Sequence, residues 1–507
     1  MSRRKIKRAL ISVYHKDGIK EIGDILHSLG VEILSTGGTY DFLRNCGIPV
    51  KAVEDVTSYP SILGGRVKTL HPKIFGGILS RKKNDSDIRE MVKYEIPPID
   101  LVIVDLYPFE EYLKADAPHE EIIEKIDIGG ISLIRAAAKN YSDTLVVSCK
   151  CLYTRLIDIL ATHGGESTIE ERRWFASWAF NTSSHYDCLI FEYFNRNEHL
   201  EIFKYSLVEH RTLRYGENPH QKALFFGSKG DIPEQLHGKE ISYNNLLDIE
   251  AAIELISDFE DPTVAILKHN NSCGCASAEN VYDAWCTALS TDPVSAYGGI
   301  IISNREIDIA AAESINKIFF DVIIAPSYHE RALEILKQKK NRIILLNKPN
   351  LMSRRKLRSL LGGVLIQDRD GTIETEDCFS EVTRRVASEH EKRDMIFANK
   401  IVKHSKSNAI VLAKNNTLIA SGIGQTSRVE ALKQAIAKAE NFGVSLKGAV
   451  MASDAFFPFT DCVEIAHKAG ITAIIQPGGS IRDNDSIEYC NHNNIAMVIT
   501  GVRHFKH

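Results

Sequence analysis

A lysine and a histidine stand next to each other near the middle of the sequence. Lys268 and His269 follow residues 264–267, a short apolar run that predicts a buried strand, and α/β proteins place ligand groups at strand ends. Beside an ammonium group an imidazole tends to stay neutral, and so available as a base. The pair is a candidate acid–base site, although Lys-His is a common dipeptide and carries little weight alone.

Two glycine-rich segments nearer the start of the chain could hold an anion. Residues 35–39, Ser-Thr-Gly-Gly-Thr, lie between a predicted strand and a predicted helix, where backbone N–H groups favour negative charge. Residues 64–72 combine two more glycines with two cations, a hydroxyl and an imidazole. Together the segments predict a phosphate site, whereas residues 35–39 alone could equally form a simple turn.

A third glycine pair, at residues 129–130, leads into an Ala-rich segment that predicts a helix. Arg135 and Lys139 would lie on one face of this helix at i, i+4 spacing. A basic site and a solvated basic edge account for the pattern equally well.

The elements that must carry these residues alternate between short apolar runs and amphipathic stretches, which is typical of a mostly parallel sheet covered by helices. Ser427 and Glu430 form a capping-box pattern that predicts a helix over residues 429–439. The predicted strands are residues 9–13, 31–34, 101–104 and 145–147 in the first part of the chain, and residues 264–267, 299–302, 409–412 and 473–475 in the second.

Three further segments carry structural expectations. An aromatic face at helical spacing is predicted to pack on another domain or subunit. The basic cluster at residues 354–358 predicts a solvated helix face. A polar interval from residue 195 to about 212 predicts a boundary between two α/β regions. The aromatic face consists of Tyr186, Ile190, Tyr193 and Phe194.

Composition limits the possible functions. The 507 residues suffice for roughly two to four domains. Lys and Arg (62) nearly balance Asp and Glu (66), which disfavours nucleic acid as a partner. No apolar run approaches the roughly 18 residues of a membrane span. Ten scattered cysteines, with Cys-x-Cys at 149/151 and 273/275 and no paired Cys-x-x-Cys, predict reduced thiols in a cytoplasmic protein without a metal site.

The glycine-rich segments of the first 200 residues carry a family resemblance. Residues 6–200 resemble the inosine monophosphate (IMP) cyclohydrolase domain of a family of bifunctional purine synthesis enzymes, which implies a methylglyoxal-synthase-like α/β fold. The implied nucleotide-binding and phosphate-binding positions are Ser12, Lys16, Ser35, Thr36, Gly37, Gly38, Thr39, Arg66, Thr69, Asp105, Ile128 and Gly129.

This resemblance implies ring closure of a formylated aminoimidazole carboxamide ribotide with loss of water. A developing oxyanion needs donors and cations, and the family positions that supply them are Lys68, Tyr107 and Lys139. Asp127 matches a position that orients the amide or relays a proton. The sequence departs from the family pattern at Tyr14, His15 and Asp105, so a side-chain contact from Asp105 to the nucleotide is in doubt.

The second region resembles the folate-dependent aminoimidazole carboxamide ribotide (AICAR) transformylase domain of the same family. Residues 213–221, 453–459 and 500–505 carry the matching motifs, and the resemblance runs from about residue 205 to the last residue. It implies two cytidine-deaminase-like α/β subdomains. We therefore expect a cyclohydrolase domain over residues 1–200 and a transformylase domain over residues 201–507.

Formyl transfer to a weakly nucleophilic aromatic amine needs a base that removes the amine proton as the bond forms. By resemblance His269 is that base, Lys268 stabilises the transition state, and Asn408 orients the formyl oxygen. The implied ribotide-binding positions are Arg214, Tyr215, Gly298, Asp321, Arg428, Phe456 and Arg503, and the implied folate-side positions are Asp461, Gly479 and Ser480.

The resemblance also implies 10-formyltetrahydrofolate as co-substrate, small-molecule substrates, and a homodimer that shares its transformylase site; it allows a monovalent cation that the sequence does not locate. Zinc-dependent deamination is a rival, but the sequence lacks the His-x-Glu and Pro-Cys-x-x-Cys pattern. Two more hypotheses stay open: an effector-binding protein without catalysis, and an enzyme that retains one of the two activities.

Overall fold

A computed structural model describes residues 3–349 and 351–507. The chain divides into two compact units, Met1–Val208 and Glu209–His507, which we call unit 1 and unit 2. The domain boundary predicted at residue 200 falls shortly before this division.

The strands of unit 1 are β1 Arg4–Lys5, β2 Arg8–Ser12, β3 Glu32–Ser35, β4 Lys51–Ala52, β5 Leu101–Val104, β6 Leu145–Val147 and β7 Glu166–Ser167. Five of them form a sheet of order β4-β3-β2-β5-β6, in which all strands are parallel. The helices of unit 1 are α1 Ile19–Ser28, α2 Gly37–Asn45, α3 Val53–Thr57, α4 Pro72–Leu79, α5 Asp85–Lys93, α6 Phe109–Lys114, α7 His119–Ile123, α8 Gly129–Lys139, α9 Tyr153–Thr162 and α10 Ile169–Glu198.

The central strands of this sheet are buried on both faces. Every residue of β5, Leu-Val-Ile-Val, is buried, as expected of a parallel strand that is covered by helices on both sides. Two hydrophobic clusters lie on opposite faces: Leu101 and Ile103 belong to one, and Val102 and Val104 to the other. The four strands predicted in this region are confirmed.

The aromatic face on α10 packs inside unit 1, so its predicted packing on another domain or subunit is wrong for most of its residues. Tyr186 is buried against Phe109 of α6, with ring centroids 5.9 Å apart, and Tyr193 lies 6.0 Å from the same ring. The long helix covers α6 and α7 because these two short helices leave an apolar side open. Phe194 alone of the four is exposed.

Two thiols near β6 are joined, contrary to the expectation of reduced cysteines throughout. Cys149 forms a disulfide with Cys151, and their Cα atoms are 5.4 Å apart, within the usual range for such a bond. Cys149 is extended and precedes a 3₁₀ turn over Lys150–Leu152, which brings the two side chains together.

Unit 2 has sixteen strands in its described residues. Twelve of them form one mixed sheet, and the other four form two separate two-stranded sheets. The strands of unit 2 are β8 His210–Leu213, β9 Ala223–Phe226, β10 Glu234–His237, β11 Thr263–Lys268, β12 Asn271–Ser277, β13 Ile300–Ser303, β14 Val322–Ala325, β15 Ile343–Leu346, β16 Arg355–Leu360, β17 Gly363–Asp368, β18 Ser380–Glu381, β19 Ile410–Lys414, β20 Thr417–Gly422, β21 Val450–Ser453, β22 Ala473–Gln476 and β23 Ala496–Ile499. Its helices are α11 Tyr243–Ile256, α12 Val281–Thr291, α13 Pro293–Ala296, α14 Ile309–Ile315, α15 Glu330–Lys337, α16 Glu389–Lys403, α17 Arg428–Asn441, α18 Asp461–Lys468 and α19 Asp483–His492.

The twelve strands form two halves with the same topology. The strand order is β10-β15-β14-β13-β11-β12 in the first half, and β18-β23-β22-β21-β19-β20 from the opposite edge in the second. In both halves an antiparallel hairpin is followed by parallel strands and an antiparallel edge strand. Ala276 of β12 pairs with Thr417 of β20 where the halves meet. The predicted α/β fold class is confirmed.

Two local predictions in unit 2 need correction. The basic cluster at residues 354–358 does not form a helix, since Arg355–Leu360 is strand β16 of a hairpin with β17, favoured by alternating side chains around a Leu-Gly-Gly turn. The capping box of α17 is half formed: Ser427 Oγ accepts a hydrogen bond from Glu430 N at 3.2 Å, but the Glu430 carboxylate accepts one from Lys433 instead.

None of the helices in the described ranges combines the length and apolar character that a membrane crossing needs.

Candidate active sites

The turn between β3 and α2 presents unobstructed backbone to an anion. Thr36 is the N-cap of α2, which begins at Gly37, and a Cβ at Gly38 would meet no atom within 4 Å. A Cβ at Gly37 would lie 3.1 Å from Lys68 Nζ. An ammonium at the positive end of a helix is unfavourable without a negative partner, so the arrangement indicates an anion site.

A second ammonium approaches the same turn from the loop after β2. Lys16 Nζ donates hydrogen bonds to Thr39 Oγ1 at 3.1 Å and to Val13 O, while Thr39 Oγ1 also accepts one from Val13 N at 3.1 Å. Burial lowers the pKa of Lys16, and the attraction of Asp105 opposes this. Ser12 ends β2 beside this loop, and Ser35 ends β3 with its hydroxyl donating to Ile11 O.

The three departures from the family pattern form one group. The Asp105 carboxylate accepts hydrogen bonds from Tyr14 N and from His15 N, the latter at 3.0 Å. His15 Nδ1 lies 3.0 Å from the same carboxylate. Asp105 therefore holds the loop over residues 13–16 in shape, and its side chain is engaged there.

Tyr107 and Asp127 lie near each other beside this loop. The rings of Tyr107 and Tyr14 are 5.7 Å apart. Burial raises the pKa of Tyr107, and the neighbouring Asp127 raises it further. Burial also raises the pKa of Asp127, although the backbone N–H of Gly130, 2.6 Å from Asp127 Oδ1, opposes this.

The N-terminus of α8 adjoins the segment that carries Arg66 and Lys68. A Cβ at Gly129 would lie 3.3 Å from Thr69 Oγ1, and Ile128, the N-cap of α8, is exposed. Arg66 forms an ion pair with Glu124. These contacts place the start of α8 beside residues 66–69, which in turn lie beside the β3–α2 turn through Lys68.

Lys139 is the one predicted catalytic residue of unit 1 that the fold sets apart. It ends α8, ten residues after Gly129, and the helical rise separates the two by about 15 Å. Lys139 lines a different cavity of about 220 Å³ together with Arg173 and Phe180. Arg135 and Lys139 are both exposed, which agrees with their predicted placement on one face of α8.

Three residues near the unit 1 site were not predicted from the sequence. Glu54 accepts a hydrogen bond from Thr36 Oγ1 at 2.9 Å. Lys125 lies over the ring of Tyr14 at 5.9 Å. Tyr186 Oη accepts a hydrogen bond from Asp127 N at 3.0 Å and donates one to Lys125 O. Lys125 could have been noticed from its position two residues before Asp127, but no sequence signal connects the other two to the site.

In unit 2, Lys268 and His269 lie at the tip of the β11–β12 hairpin. His269 and Asn270 form a two-residue turn with left-handed φ angles of 53° and 64°. Lys268 Nζ donates to Tyr297 O at 2.9 Å. Both residues line a cavity of about 290 Å³, to which the second half of the sheet contributes Gln434 and Lys438.

Gly298 and Asp321 lie close to this tip. Gly298 N donates to Phe319 O at 2.8 Å, and Asp321 N donates to Gly299 O at 3.0 Å. The Asp321 carboxylate forms an ion pair with Lys239 at 3.2 Å. Gly298 has a φ of 75°, so a residue other than glycine would be strained there.

A second polar group surrounds Arg428 at the start of α17. The Arg428 guanidinium donates to Asn408 Oδ1 at 2.9 Å, to Asp454 Oδ1 at 2.7 Å and to Phe456 O at 3.2 Å. Within the described residues, Arg428 Nε and Asp454 Oδ2 are buried without a hydrogen-bond partner. Unpaired buried polar atoms are rare, so they support a ligand site at this point.

The end of the chain joins this second group. His504 N donates to Asp454 O at 3.1 Å, which fixes the preceding residue, Arg503, next to the Arg428 group. The His504 ring is buried between Asp370 and Glu374, at 2.6 Å from each carboxylate.

The predicted folate-side residues occupy two loops of the second half. Asp461 begins α18, and its carboxylate accepts a hydrogen bond from Cys462 N. Gly479 N and Ser480 N both donate to Asp483 Oδ2, at 2.7 and 3.0 Å. Arg482 lies over the ring of Phe459 at 5.0 Å, which connects the two loops.

Hydrogen bonds connect the Arg428 group to the Lys268–His269 cavity. Asn408 Nδ2 donates to Gln425 O at 3.0 Å, and Gln425 Nε2 donates to Gln434 Oε1 at 3.1 Å. Gln434 lines the cavity. Neither glutamine was predicted, because both are common surface residues that belong to no motif.

Arg214 and Tyr215 follow β8 in a separate two-stranded sheet. Arg214 donates to Tyr215 Oη at 2.9 Å and lies over that ring. The loop is tied to α11 through a hydrogen bond from Asn244 to Glu217 O.

The thiols of Cys273 and Cys275 face opposite layers of unit 2. Cys275 packs with Ala265, whereas Cys273 packs with Val264 and Trp285 on the other face, because a bulge interrupts the β11–β12 register near Ile266. The two thiols therefore cannot share a metal ion. In the described ranges of the chain no cluster of three or more His, Cys, Asp or Glu side chains could hold one.

Comparisons with known proteins match both parts of the chain. The family model described as AICARFT/IMPCHase bienzyme matches residues 137–438, and the model of the MGS-like domain matches residues 18–132. The first match covers more than half of the chain.

Similar proteins span the full length. A protein of Bacteroides thetaiotaomicron named bifunctional purine biosynthesis protein PurH is 61% identical, over 99% of each chain. Proteins of the same name from Acetivibrio thermocellus and Aquifex aeolicus are 48% and 45% identical, over 99% of this chain and 100% of their own.

These matches confirm the family resemblance and the enzymatic function that the motifs predicted. They overturn the hypotheses of an effector-binding protein without catalysis and of an enzyme with one activity, since the matched family is a bienzyme. The chain belongs to the AICARFT/IMPCHase bienzyme family and is a bifunctional enzyme of purine biosynthesis, with AICAR transformylase and IMP cyclohydrolase activities.

Proposed function

We propose that the two activities are divided between the two units, with ring closure in unit 1 and formyl transfer in unit 2. The observation that carries this assignment is the cavity of about 290 Å³ lined by Lys268 and His269, which pairs a base with an ammonium. The glycine-rich β3–α2 turn of unit 1 supports the assignment of ring closure to that unit. Under this proposal the domains predicted over residues 1–200 and 201–507 correspond to the two units.

In formyl transfer, the ribotide amine attacks the formyl carbon of 10-formyltetrahydrofolate. His269 accepts the amine proton as the new carbon–nitrogen bond forms. Lys268 stabilises the negative charge that develops on the formyl oxygen, and Asn408 orients that oxygen. The folate nitrogen then leaves and takes up a proton, which gives formylated ribotide and tetrahydrofolate.

Arginines suit the ribotide phosphate because a guanidinium offers a fork of donors. Arg428, with its unpaired Nε, supports this role most directly. We assign the ribotide to Arg214, Tyr215, Gly298, Asp321, Arg428, Phe456 and Arg503, and the folate to Asp461, Gly479 and Ser480.

In ring closure, the carboxamide nitrogen of the formylated ribotide attacks the formyl carbon, and water is then lost. Lys68 and Tyr107 stabilise the developing oxyanion, and Asp127 orients the amide or relays a proton. Burial raises the pKa of Asp127, which is the direction that favours proton transfer by a carboxyl group. Because Lys139 lies at the far end of α8, the proposal gives it no direct contact with the ribotide of its own chain.

We further propose a cytoplasmic homodimer that shares its transformylase site, with no zinc, no nucleic acid and no membrane partner. The exposed β16–β17 hairpin supports a surface for a second copy. Its strands pair with each other, and apolar side chains remain open on it, namely Leu357, Leu360, Leu361, Val364, Leu365 and Ile366. A monovalent cation stays a prediction without a location.

Product analysis tests the assignment of activities. The protein is incubated with AICAR and 10-formyltetrahydrofolate, and ribotide products are separated by chromatography. The parent should produce IMP. His269→Ala should lose formyl transfer by roughly 100-fold or more and still close the ring of added formylated ribotide. Lys68→Ala should keep formyl transfer but lose ring closure, and should therefore accumulate formylated ribotide.

Matched lysine variants control for general damage. Lys414 ends β19 as Lys268 ends β11, and its ammonium donates to Lys447 O, so Lys414→Ala should leave formyl transfer intact where Lys268→Ala reduces it. Lys73 lies close to Lys68 in sequence but pairs with Glu95, so Lys73→Ala should leave ring closure intact. Full formyl transfer by His269→Ala, or full ring closure by Lys68→Ala, would show that the site is elsewhere.

A further inference from the structure

The two halves of the sheet in unit 2 turn their first hairpins in the same way. The β11–β12 turn consists of His269 and Asn270, with φ angles of 53° and 64°, and the β19–β20 turn consists of Asn415 and Asn416, with φ angles of 53° and 50°. Left-handed φ angles at both central residues define the type I′ turn, which fits the twist of the flanking strands. The halves therefore present the same backbone at both tips.

The two turns differ in how well their residues suit this geometry. Asparagine is among the side chains best suited to a type I′ turn, and it fills both positions of the β19–β20 turn. The β11–β12 turn has His269 in the first position. Its conformation must therefore rely more on contacts from outside the turn.

In the second half a buried carboxylate on α16 holds the turn. Asp394 Oδ2 accepts a hydrogen bond from Asn415 N at 2.9 Å, and Asp394 Oδ1 accepts one from Asn416 N at 2.6 Å. Both N–H groups of the turn are thus satisfied by a single side chain.

Asp248 occupies the corresponding position in the first half. Asp394 is the sixth residue after the N-cap Ser388 of α16, and Asp248 is the sixth after the N-cap Ser242 of α11. Asp248 Oδ1 accepts a hydrogen bond from Asn270 N at 2.6 Å. The same helix position therefore supports the turn in both halves.

The pKa of the Asp248 carboxyl group also depends on His269 and on Asp321. Burial raises the pKa of Asp248, whereas the Asn270 N–H bond and the attraction of His269 lower it, and Asp321 raises it again. The carboxylate thus lies within electrostatic reach of both the base and a ribotide-binding position.

We infer that Asp248 is a positioning residue for formyl transfer, because its hydrogen bond to Asn270 N fixes the turn that carries His269. The inference rests on the proposed role of His269. Asp248 acts through the backbone of the turn and does not touch the reacting atoms. The duplicated turn at Asn415 and Asn416 keeps the supporting carboxylate but has no imidazole to position.

The test is steady-state formyl transfer by the full-length protein with AICAR and 10-formyltetrahydrofolate. Asp248→Ala should lower kcat by roughly 10-fold to 100-fold, as expected for a misplaced catalytic group, while KM for AICAR changes by less than about 3-fold. Asp248→Asn keeps an oxygen acceptor of the same size and should restore kcat to within about 3-fold of the parent. Asn270→Gly keeps the N–H and the left-handed turn, and should also stay within about 3-fold.

Two controls separate positioning from folding. Ring closure of added formylated ribotide should be unchanged in every variant. Asp394→Ala removes the matching carboxylate from the turn without an imidazole, so it should lower the thermal midpoint while the folded protein keeps kcat within about 3-fold. If circular dichroism shows that Asp248→Ala is unfolded, Asp248→Leu takes its place, because leucine fills the space of the carboxylate without offering a hydrogen-bond acceptor.

The outcomes distinguish this inference from the proposed function. Formyl transfer at the parental rate in both His269→Ala and Asp248→Ala would overturn the role of His269. An inactive His269→Ala together with an Asp248→Ala variant within about 2-fold of the parent would overturn the inference alone. An Asp248→Asn variant as slow as Asp248→Ala would overturn the account based on the hydrogen bond.

Discussion

His504 carries a positive charge that the surrounding residues create. Its ring is buried, which lowers its pKa, but the hydrogen bonds to Asp370 and Glu374 raise it more, to about 9. The same contacts lower the pKa of Asp370 against the opposite effect of burial. We call His504, Asp370 and Glu374 the clamp. Because His504 N donates to Asp454 O, the clamp also fixes the end of the chain that carries Arg503.

Because of the clamp, the stability of unit 2 should decrease as the pH becomes alkaline. The pKa of His504 is higher in the folded chain than the ordinary value of about 6.5, so its contribution is fully present below pH 6.5 and is lost as pH rises through 9. We expect the denaturation midpoint of the parent to fall more between pH 7 and pH 9.5 than that of His504→Gln. Equal pH dependence of the two proteins, measured by urea unfolding, would contradict the clamp.

At the scale of elements, each half of the large sheet packs its first hairpin directly on the backbone of the next helix. A Cβ at Gly274 of β12 would press on Ala288 O of α12, and a Cβ at Gly422 of β20 would press on Ala431 O of α17. The close approach lets α12 and α17 cover β12 and β20. Glycine is required at both positions because the obstructing atoms are backbone and cannot move aside.

Gly422→Ala should therefore destabilise unit 2. Overpacking against fixed backbone costs about 1–3 kcal/mol, and calorimetry of the full chain should show a lower unfolding midpoint. Gly362→Ala is the control, since a Cβ there meets nothing within 4 Å and should change the free energy of unfolding by less than about 1 kcal/mol. Equal effects of the two substitutions would mean that the close approach does not matter.

At the scale of the whole molecule, the residues proposed for formyl transfer form two groups in unit 2. One surrounds Lys268 and His269, and the other surrounds Arg428, with Gln425 and Gln434 between them. The β16–β17 hairpin has exposed apolar side chains, and the proposed dimer would bury them. A shared site would make formyl transfer depend on the dimer, whereas ring closure would not.

Leu365→Glu on the hairpin should weaken the dimer. Sedimentation velocity at stepped concentrations should show the parent as a dimer and the variant dissociating at concentrations at least 10-fold higher, with formyl transfer falling in parallel and ring closure unchanged. Val92→Glu, at an exposed apolar position of α5, is the control and should remain dimeric. A parent that stays monomeric throughout would refute the proposed homodimer.

Much of the fold was predictable because it follows from local periodicity. Strand β5, four apolar residues in succession, and the glycine-rich turn before α2 are marked by residue types within a few positions of each other. The β16 hairpin was mistaken for a helix because a basic cluster has no period that distinguishes the two. The packing face of α10 was misjudged because the partners of Tyr186 lie far away in sequence.

The family and the two kinds of chemistry follow from the amino-acid sequence alone, since Lys268, His269 and the glycine-rich residues 35–39 belong to contiguous motifs. Which groups share a cavity, and which groups support them, depends on the tertiary structure. Asp248 on α11 accepts a hydrogen bond from Asn270 of the β11–β12 turn, Gln434 connects two groups, and Lys139 lies away from the glycine-rich turn along α8. These relations arise from how helices cross the sheet, and side-chain distances of a few ångströms between remote residues leave no local pattern in the chain.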